Sequence, residues 1–406
     1  MAPTIRTIAP AEFAAWIAVT DQAFHQERPA EQVADFRRSQ TDFHRAWGAF
    51  DDGRIVGTAR SFATELTLPG GTIPADAVSA VAVLPTHRRR GILTQMIGTD
   101  LRAAAERGDP VSILIASEYP IYGRFGYGVA TEHATYTVDA ARARFSRPGA
   151  STMELMAPAA VRDIAQSLYD QFRVTQPGAL HRSDGWWDGA LRLVDVPPSF
   201  PPAGLIALCR DAAGDPSGYV RYRVEPVWAE RRSDSTLVVY DLVATTAQAY
   251  GRLWQFCCEV DLVRTVRAED RSVQEPLSWY LKDGRAVRQV SRADFLWVRV
   301  LDVAGVLSRR RYLSEGRVVV EVVDALGFAG GRFLLHGGPD GAQCTTTSQV
   351  ADVTVPVATL GSISLGGASL RQLADAGLAE EHTPGALDRA DALFRWTVAP
   401  WCHTWF

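Results

Sequence analysis

Residues 83–101, VLPTHRRRGILTQMIGTDL, join an apolar strand to a helix with one apolar side, through three consecutive arginines and a glycine. Adjacent cations repel one another and glycine is a poor helix former, so local stability does not explain the order. A strand, a tight turn and a helix N-terminus gather unpaired backbone N–H groups in one concave spot, and the helix dipole adds positive potential there. Phosphate is the natural ligand of such a corner. Gly91 lets the backbone approach closely, and Arg88, Arg89 and Arg90 can charge the rim. The bland alternative is a basic surface turn capping a core helix. The common phosphate motifs do not apply: no GK[ST] follows a glycine-rich turn, and GRFGYG at 123–128 has the wrong spacing for a dinucleotide fingerprint.

The surrounding chain alternates strands and helices. TIRTIAP reads as a strand and PAEFAAWIAVTDQAF as a helix with Phe13, Trp16 and Ile17 at core spacing. WGAFDDGRIVGTARSFATELTLPGG reads as two strands around Asp51, Asp52 and Gly53. AVSAVAVLP is a strand, and the helix after the arginines places Leu93, Met96, Ile97, Leu101 and Ala104 on one side; VSILIASE is the next strand. The stretch ARARFSRPGA marks a boundary, and the α/β order then repeats without an arginine–glycine turn after VVYDLVA. The proline-rich PPSFPPAG is an internal loop of that second passage. From about 293, strands come before helices, as in a separate α+β domain. The expected division is 1–145, 146–292 and 293–406, the second part a degenerate repeat of the first.

Two or three domains also suit 406 residues. With 47% hydrophobic and 22% charged residues the chain reads as globular. A net charge of −4 gives no general footprint for nucleic acid. No apolar run approaches the roughly 18–20 residues that span a bilayer, and MAPTIRTIAP lacks a secretory apolar core, which argues for the cytoplasm. Cys209, Cys257, Cys258, Cys344 and Cys402 form no CxxC pair, and the eight histidines show no ligand spacing, so reduced thiols and no metal are expected. Lys282 is the only lysine, which leaves little room for a catalytic one.

VAVLPTHRRRGILTQMI followed by SILIASEYPIYGRFGYG resembles the GCN5-related N-acetyltransferases. That family pairs an [R/Q]xxG pyrophosphate turn, here Arg88-x-x-Gly91, with a Y-x-x-x-G-[F/Y] segment, here Tyr122-x-x-x-Gly126-Tyr127. The general pattern has Gly or Ala where this chain has Leu93. The strings THRRRG and YGRFGYG, the length and the aromatic end are similar to the Eis (enhanced intracellular survival) subfamily. The resemblance implies an α/β (α+β) chain: a catalytic acetyltransferase domain, a second degenerate one and a C-terminal domain of sterol-carrier-protein type.

The resemblance also implies acetyl-CoA as acyl donor, an amine as acceptor, and a homohexamer. The pantetheine amides pair with the backbone of Val81, Ala82 and Val83, and the pyrophosphate lies on the turn Arg88, Arg89, Arg90, Gly91, Ile92, Leu93 and Thr94. Ser117 and Glu118 face the thioester end. Tyr122 is the acid, since a phenol of pKa about 10 can protonate a leaving thiolate, while Tyr119 and Tyr127 are packing residues. The base is the terminal carboxylate, here of Phe406, with His403 or Glu118 as fallback. Trp401, Trp405 and Phe406 suggest a chain end tucked into a pocket. Asp21, Glu27 and Glu65 are candidate acids for an acceptor cavity that Trp405 could narrow. The expected reaction is N-acetylation of a polyamine such as an aminoglycoside. A peptide lysine is an alternative acceptor, and a non-catalytic acyl-CoA or lipid binder is the alternative class.

Overall fold

The computed structural model describes residues 3–26, 31–147, 151–197 and 200–406, and the chain forms two compact units. The first unit begins with β1 (Thr4–Thr7), α1 (Phe13–Ala23), α2 (Glu31–Ser39), β2 (Ala46–Asp51), β3 (Arg54–Leu68) and β4 (Gly71–Val83). It continues with α3 (Ile92–Arg107), β5 (Val111–Ile115), the single turn α4 (Tyr119–Tyr122) and β6 (Gly128–Val129). Asp52 and Gly53 both take positive φ between β2 and β3, the geometry that suits the twist of a two-residue hairpin. α1 buries Phe13, Trp16 and Ile17 among Ile8, Ala46 and Ile55, and α3 buries Ile92, Met96, Ile97, Leu101 and Ala104. Each of the larger apolar side chains contributes about 1.5–3 kcal/mol when fully buried, so the apolar stripe read in the sequence seats α3 on the sheet.

The first sheet runs β1-β2-β3-β4-β5, then the strand Leu296–Val300, then β6. Only β4 and β5 are parallel; the other pairs are antiparallel. A second, five-stranded sheet in this unit contains Gly316–Val323, Gly331–Gly338, Gly341–Thr346, Val353–Pro356 and Glu380–Glu381. The helix Val357–Ile363 lies directly on β6 and on Leu296–Val300. A Cβ at Gly361 would stand 2.2 Å from the Val298 carbonyl oxygen, and one at Gly128 would stand 1.8 Å from that of Ala358. Glycine alone permits that approach.

The second unit holds a seven-stranded sheet in the order Val287–Asp294, Glu132–Asp139, Val263–Arg271, Ser235–Ala244, Pro216–Glu225, Leu205–Arg210, Thr152–Met156. Here too a single parallel pair, Ser235–Ala244 with Val263–Arg271, is joined by a helix, Ala247–Glu259. A linear cut at 145 and 292 therefore does not follow the sheets. Glu132–Asp139 completes the second sheet and Leu296–Val300 the first, and the unit boundaries fall at Thr131/Glu132 and Asp294/Phe295. At the chain end, Trp401–Thr404 belong to the second unit, and Trp405 and Phe406 to the first.

Candidate active site

The site of the first unit starts from a fault in strand pairing. Gly57 and Thr58 pair with Val83 and Ala82, but Arg60 pairs with Ser79, so β4 carries one residue more than β3. Ala80 absorbs the mismatch at φ 53, a conformation uncommon for a residue with a Cβ. The Thr58 hydroxyl donates to its carbonyl at 2.9 Å, and the Thr20 hydroxyl lies 3.1 Å from Thr58. On its other side β4 pairs with β5 only through Asp76, Ala77 and Val78. Beyond Val78 the two strands part, and the β4 edge that carries Val81, Ala82 and Val83 is not paired to β5. An unpaired strand edge can receive an extended chain bearing amides, as pantetheine does.

At the end of β4 one 3₁₀ turn, Pro85–His87, leads to Arg88 in an extended conformation. Arg89 (φ 64) and Gly91 (φ 77) are then both left-handed. Gly91 is the N-cap of α3, and no side chain caps that end. The matching helix of the second unit differs: Thr246 caps it, its hydroxyl accepting from the Ala249 N–H at 3.1 Å. One helix thus leaves its first amides available to a ligand, while the other satisfies one of them internally. Arg88, Arg89 and Arg90 are exposed at the rim, with Arg90 reaching Asp51 at 3.6 Å. Ile92 is buried and Thr94 exposed, while Leu93 packs onto the cluster of Val78, Ile97, Leu114 and Tyr122. The bulky residue at this position therefore serves the core.

Tyr122 follows at the end of α4 and is 5% exposed, with its ring edge-on to Tyr127 at 6.1 Å. Burial pushes its pKa above the usual phenol range; a hydrogen bond with Ser117 lowers it and the Glu118 charge raises it. The group is a protonated donor at neutral pH. Ser117 and Glu118 are exposed just past the end of β5. Tyr127 is buried, its hydroxyl 2.7 Å from that of Ser112, as a packing residue should be. Tyr119, expected to pack, is instead 63% exposed, with its ring against the edge of Trp297 at 5.0 Å. It sits in the first turn of a one-turn helix, which leaves it on the surface.

The chain end divides between the units. In the second, Trp401 is buried, donates from Nε1 to the Asp270 carbonyl at 2.7 Å and stacks on His403 at 4.1 Å. Burial, then the Arg182 charge, push the His403 pKa down to about 4, so this fallback base is neutral and weak. It lies 3.2 Å from an Asp241 oxygen without hydrogen-bond alignment. Arg182 holds both Asp241, at 2.7 Å, and the Thr404 hydroxyl, at 3.1 Å. In the first unit, the Phe406 ring is half-buried and edge-on to Phe62 of β3 at 5.6 Å. Trp405 is not tucked in: it is 55% exposed, against the edge of Phe295. Of the candidate acceptor acids, Asp21 is buried and paired with Arg37 at 2.6 Å, and Glu65 is half-buried on β3. Glu27 lies outside the described residues. Among the described residues no group of three or more His, Cys, Asp or Glu could hold a metal.

Models of the acetyltransferase (GNAT) domain match residues 4–130 and 178–300, and a sterol carrier protein domain model matches 303–403. An N-acetyltransferase of Streptomyces avermitilis is 43% identical, covering 99% of this chain and 98% of its own. N-acetyltransferase Eis of Mycobacterium tuberculosis is 36% identical, over 86% of this chain and 85% of its own. This chain belongs to the Eis family of N-acetyltransferases. The crystal structure of Eis1 from Mycobacterium abscessus superimposes on this Eis-family chain with a TM-score of 0.87 at 34% identity, over the whole of both chains. A GCN5-related N-acetyltransferase from Anabaena variabilis, 19% identical, shares the fold with a TM-score of 0.86. The family is one of enzymes, which removes the non-catalytic binder, and its GNAT domains imply acetyl-CoA as donor and an amine as acceptor. Among the described residues, no helix is long and apolar enough to cross a membrane.

Two features of this unit escaped the sequence reading. The bulge at Ala80 has no signal there, because an alanine takes positive φ only when the register of pairing with β3 forces it. Asp100 did leave one: it stands on the apolar side of α3, between Ile97 and Leu101.

Proposed function

We propose that this enzyme transfers the acetyl group of acetyl-CoA to an amine of a polyamine, such as an aminoglycoside. The observation that carries the reading is the parting of β4 from β5 beyond Val78, with the buried hydroxyl of Tyr122 following β5. The pantetheine arm runs along the open edge at Val81, Ala82 and Val83. Its diphosphate lies on the amides of Gly91, Ile92, Leu93 and Thr94, with Arg88, Arg89 and Arg90 at the rim. The amine nitrogen attacks the thioester carbonyl and the C–S bond breaks. The departing sulfur takes the Tyr122 proton, and the proton lost by the amine passes to the α-carboxylate of Phe406.

The half-buried Phe406 ring on Phe62, in the same unit as Tyr122, supports the terminal carboxylate as base. Glu65, half-buried on β3, supplies negative potential for a cationic acceptor, while Asp21 is neutralised by Arg37. A hexamer is part of the same reading, and light scattering should then give about six times the 44.3 kDa of one chain. Release of coenzyme A thiol, followed colorimetrically with aminoglycosides and with lysine peptides, tests the acceptor. Turnover with the peptides alone would move the reading to a protein lysine acetyltransferase.

A further inference from the structure

Beneath the parting of the strands, β4 carries Asp76, and α3 carries Asp100 on its buried side. Both side chains are fully enclosed, at 0% and 1% exposure, and their carboxyl groups are in hydrogen-bonding contact. Asp76 accepts from Arg45 at 3.2 Å, Arg107 at 2.8 Å and Ser112 at 3.3 Å. Asp100 Oδ1 accepts from Trp47 Nε1 at 2.8 Å and from Ser61 at 3.0 Å. Its Oδ2 is buried where no protein N–H or O–H reaches it. Two ionised carboxylates in contact in a dry interior repel strongly and leave that oxygen without a donor. One proton between them removes both faults.

We propose that Asp76 and Asp100 form a positioning pair: a proton shared between them fixes α3 against β4, and with α3 the turn that receives the coenzyme's diphosphate. The proposal rests on the reading of that turn as the diphosphate site. The groups that face the pair come from every neighbouring element. Arg45 precedes β2, Arg107 ends α3, and Asp109 beyond it reaches both arginines, at 3.8 and 3.0 Å. Trp47, Ser61 and Ser112 stand on β2, β3 and β5, with Tyr127 behind Ser112. Burial first, and then the Asp100 charge, push Asp76 up to about 8; burial raises Asp100 as well. Above that pH two like charges press helix and strand apart, and the main-chain pocket at the start of α3 loses its shape. Affinity for acetyl-CoA therefore falls as pH rises.

The stability sign follows from the same shift. The folded pair keeps a proton that the unfolded chain releases above about pH 4, so its contribution to stability declines from about pH 4 to about pH 8. Glu275, also buried and pushed up to about 8, titrates equally in a variant of the pair and drops out of the difference.

The test is calorimetric titration of acetyl-CoA into the full chain and its Asp100→Asn variant at pH 7 and pH 9, with melting of both without coenzyme from pH 5 to 8. The wild-type Kd should rise about tenfold between the two pH values, the factor expected for one proton lost near pH 8. The variant, whose amide supplies a neutral donor, should change by less than about twofold. Wild-type melting should fall towards pH 8 relative to the variant. If Asp100→Asn does not fold, Asp76→Asn is read in the same way. Equal pH ratios in wild type and variant overturn the pair while leaving the diphosphate site intact. No heat in the wild type at pH 7 overturns the diphosphate reading, and the pair with it.

Discussion

At the scale of single residues, the proposed chemistry depends on one hydroxyl held in a dry place. Tyr122 is almost completely buried, and burial keeps it protonated beyond the ordinary phenol range. Tyr122→Phe should lower kcat by about 10²–10⁴, the usual worth of a placed acid, and leave the acetyl-CoA Kd unchanged by calorimetry. A full-rate variant would remove the tyrosine from the mechanism. Tyr122 was legible because its motif lies in one unbroken stretch with Gly126 and Tyr127. The buried pair Arg182 and Asp241, 2.7 Å apart, was not, since 59 residues separate the partners. Burial pushes the Asp241 carboxyl up, but the Arg182 guanidinium holds it well below the usual range. Arg182→Met leaves that charge uncompensated and should cost about 3–5 kcal/mol in a urea titration.

At the scale of elements, two helices of similar setting end differently. The start of α3 needs Gly91 at φ 77, where a Cβ strains the backbone by about 1–2 kcal/mol. Gly91→Ala should therefore weaken acetyl-CoA binding about tenfold with little change in fold. The helix Ala247–Glu259 begins under the Thr246 hydroxyl instead. Thr246→Ala should cost about 1 kcal/mol of stability and leave acetyl-CoA affinity alone. If Gly91→Ala binds as well as wild type, the coenzyme does not use that turn. Glycine after arginine marked the first junction in the sequence. The bulge that opens β4 left no such mark, because the pairing of β3 with β4 imposes it on an ordinary alanine.

At the scale of the whole molecule, the last six residues serve different units: Trp401–Thr404 the second, Trp405 and Phe406 the first. Adding residues after Phe406 moves the terminal carboxylate without touching the buried Trp401. Such variants should lose acetyl transfer and keep the wild-type melting temperature; a fully active one would rule out the terminal base. The sequence by itself determined what is local: the strand–turn–helix at Gly91, the apolar stripe of α3, the tyrosine motif and the three-part order. These follow from residues a few positions apart, whose periodicity and backbone preferences act before any distant contact forms. Only the tertiary structure decided which sheet takes Glu132–Asp139 and which takes Leu296–Val300. An alternating or wholly apolar strand satisfies either sheet equally well until its neighbours are in place. The same holds for Asp76 and Asp100, which stand 24 positions apart in the chain and meet only because α3 folds back over β4.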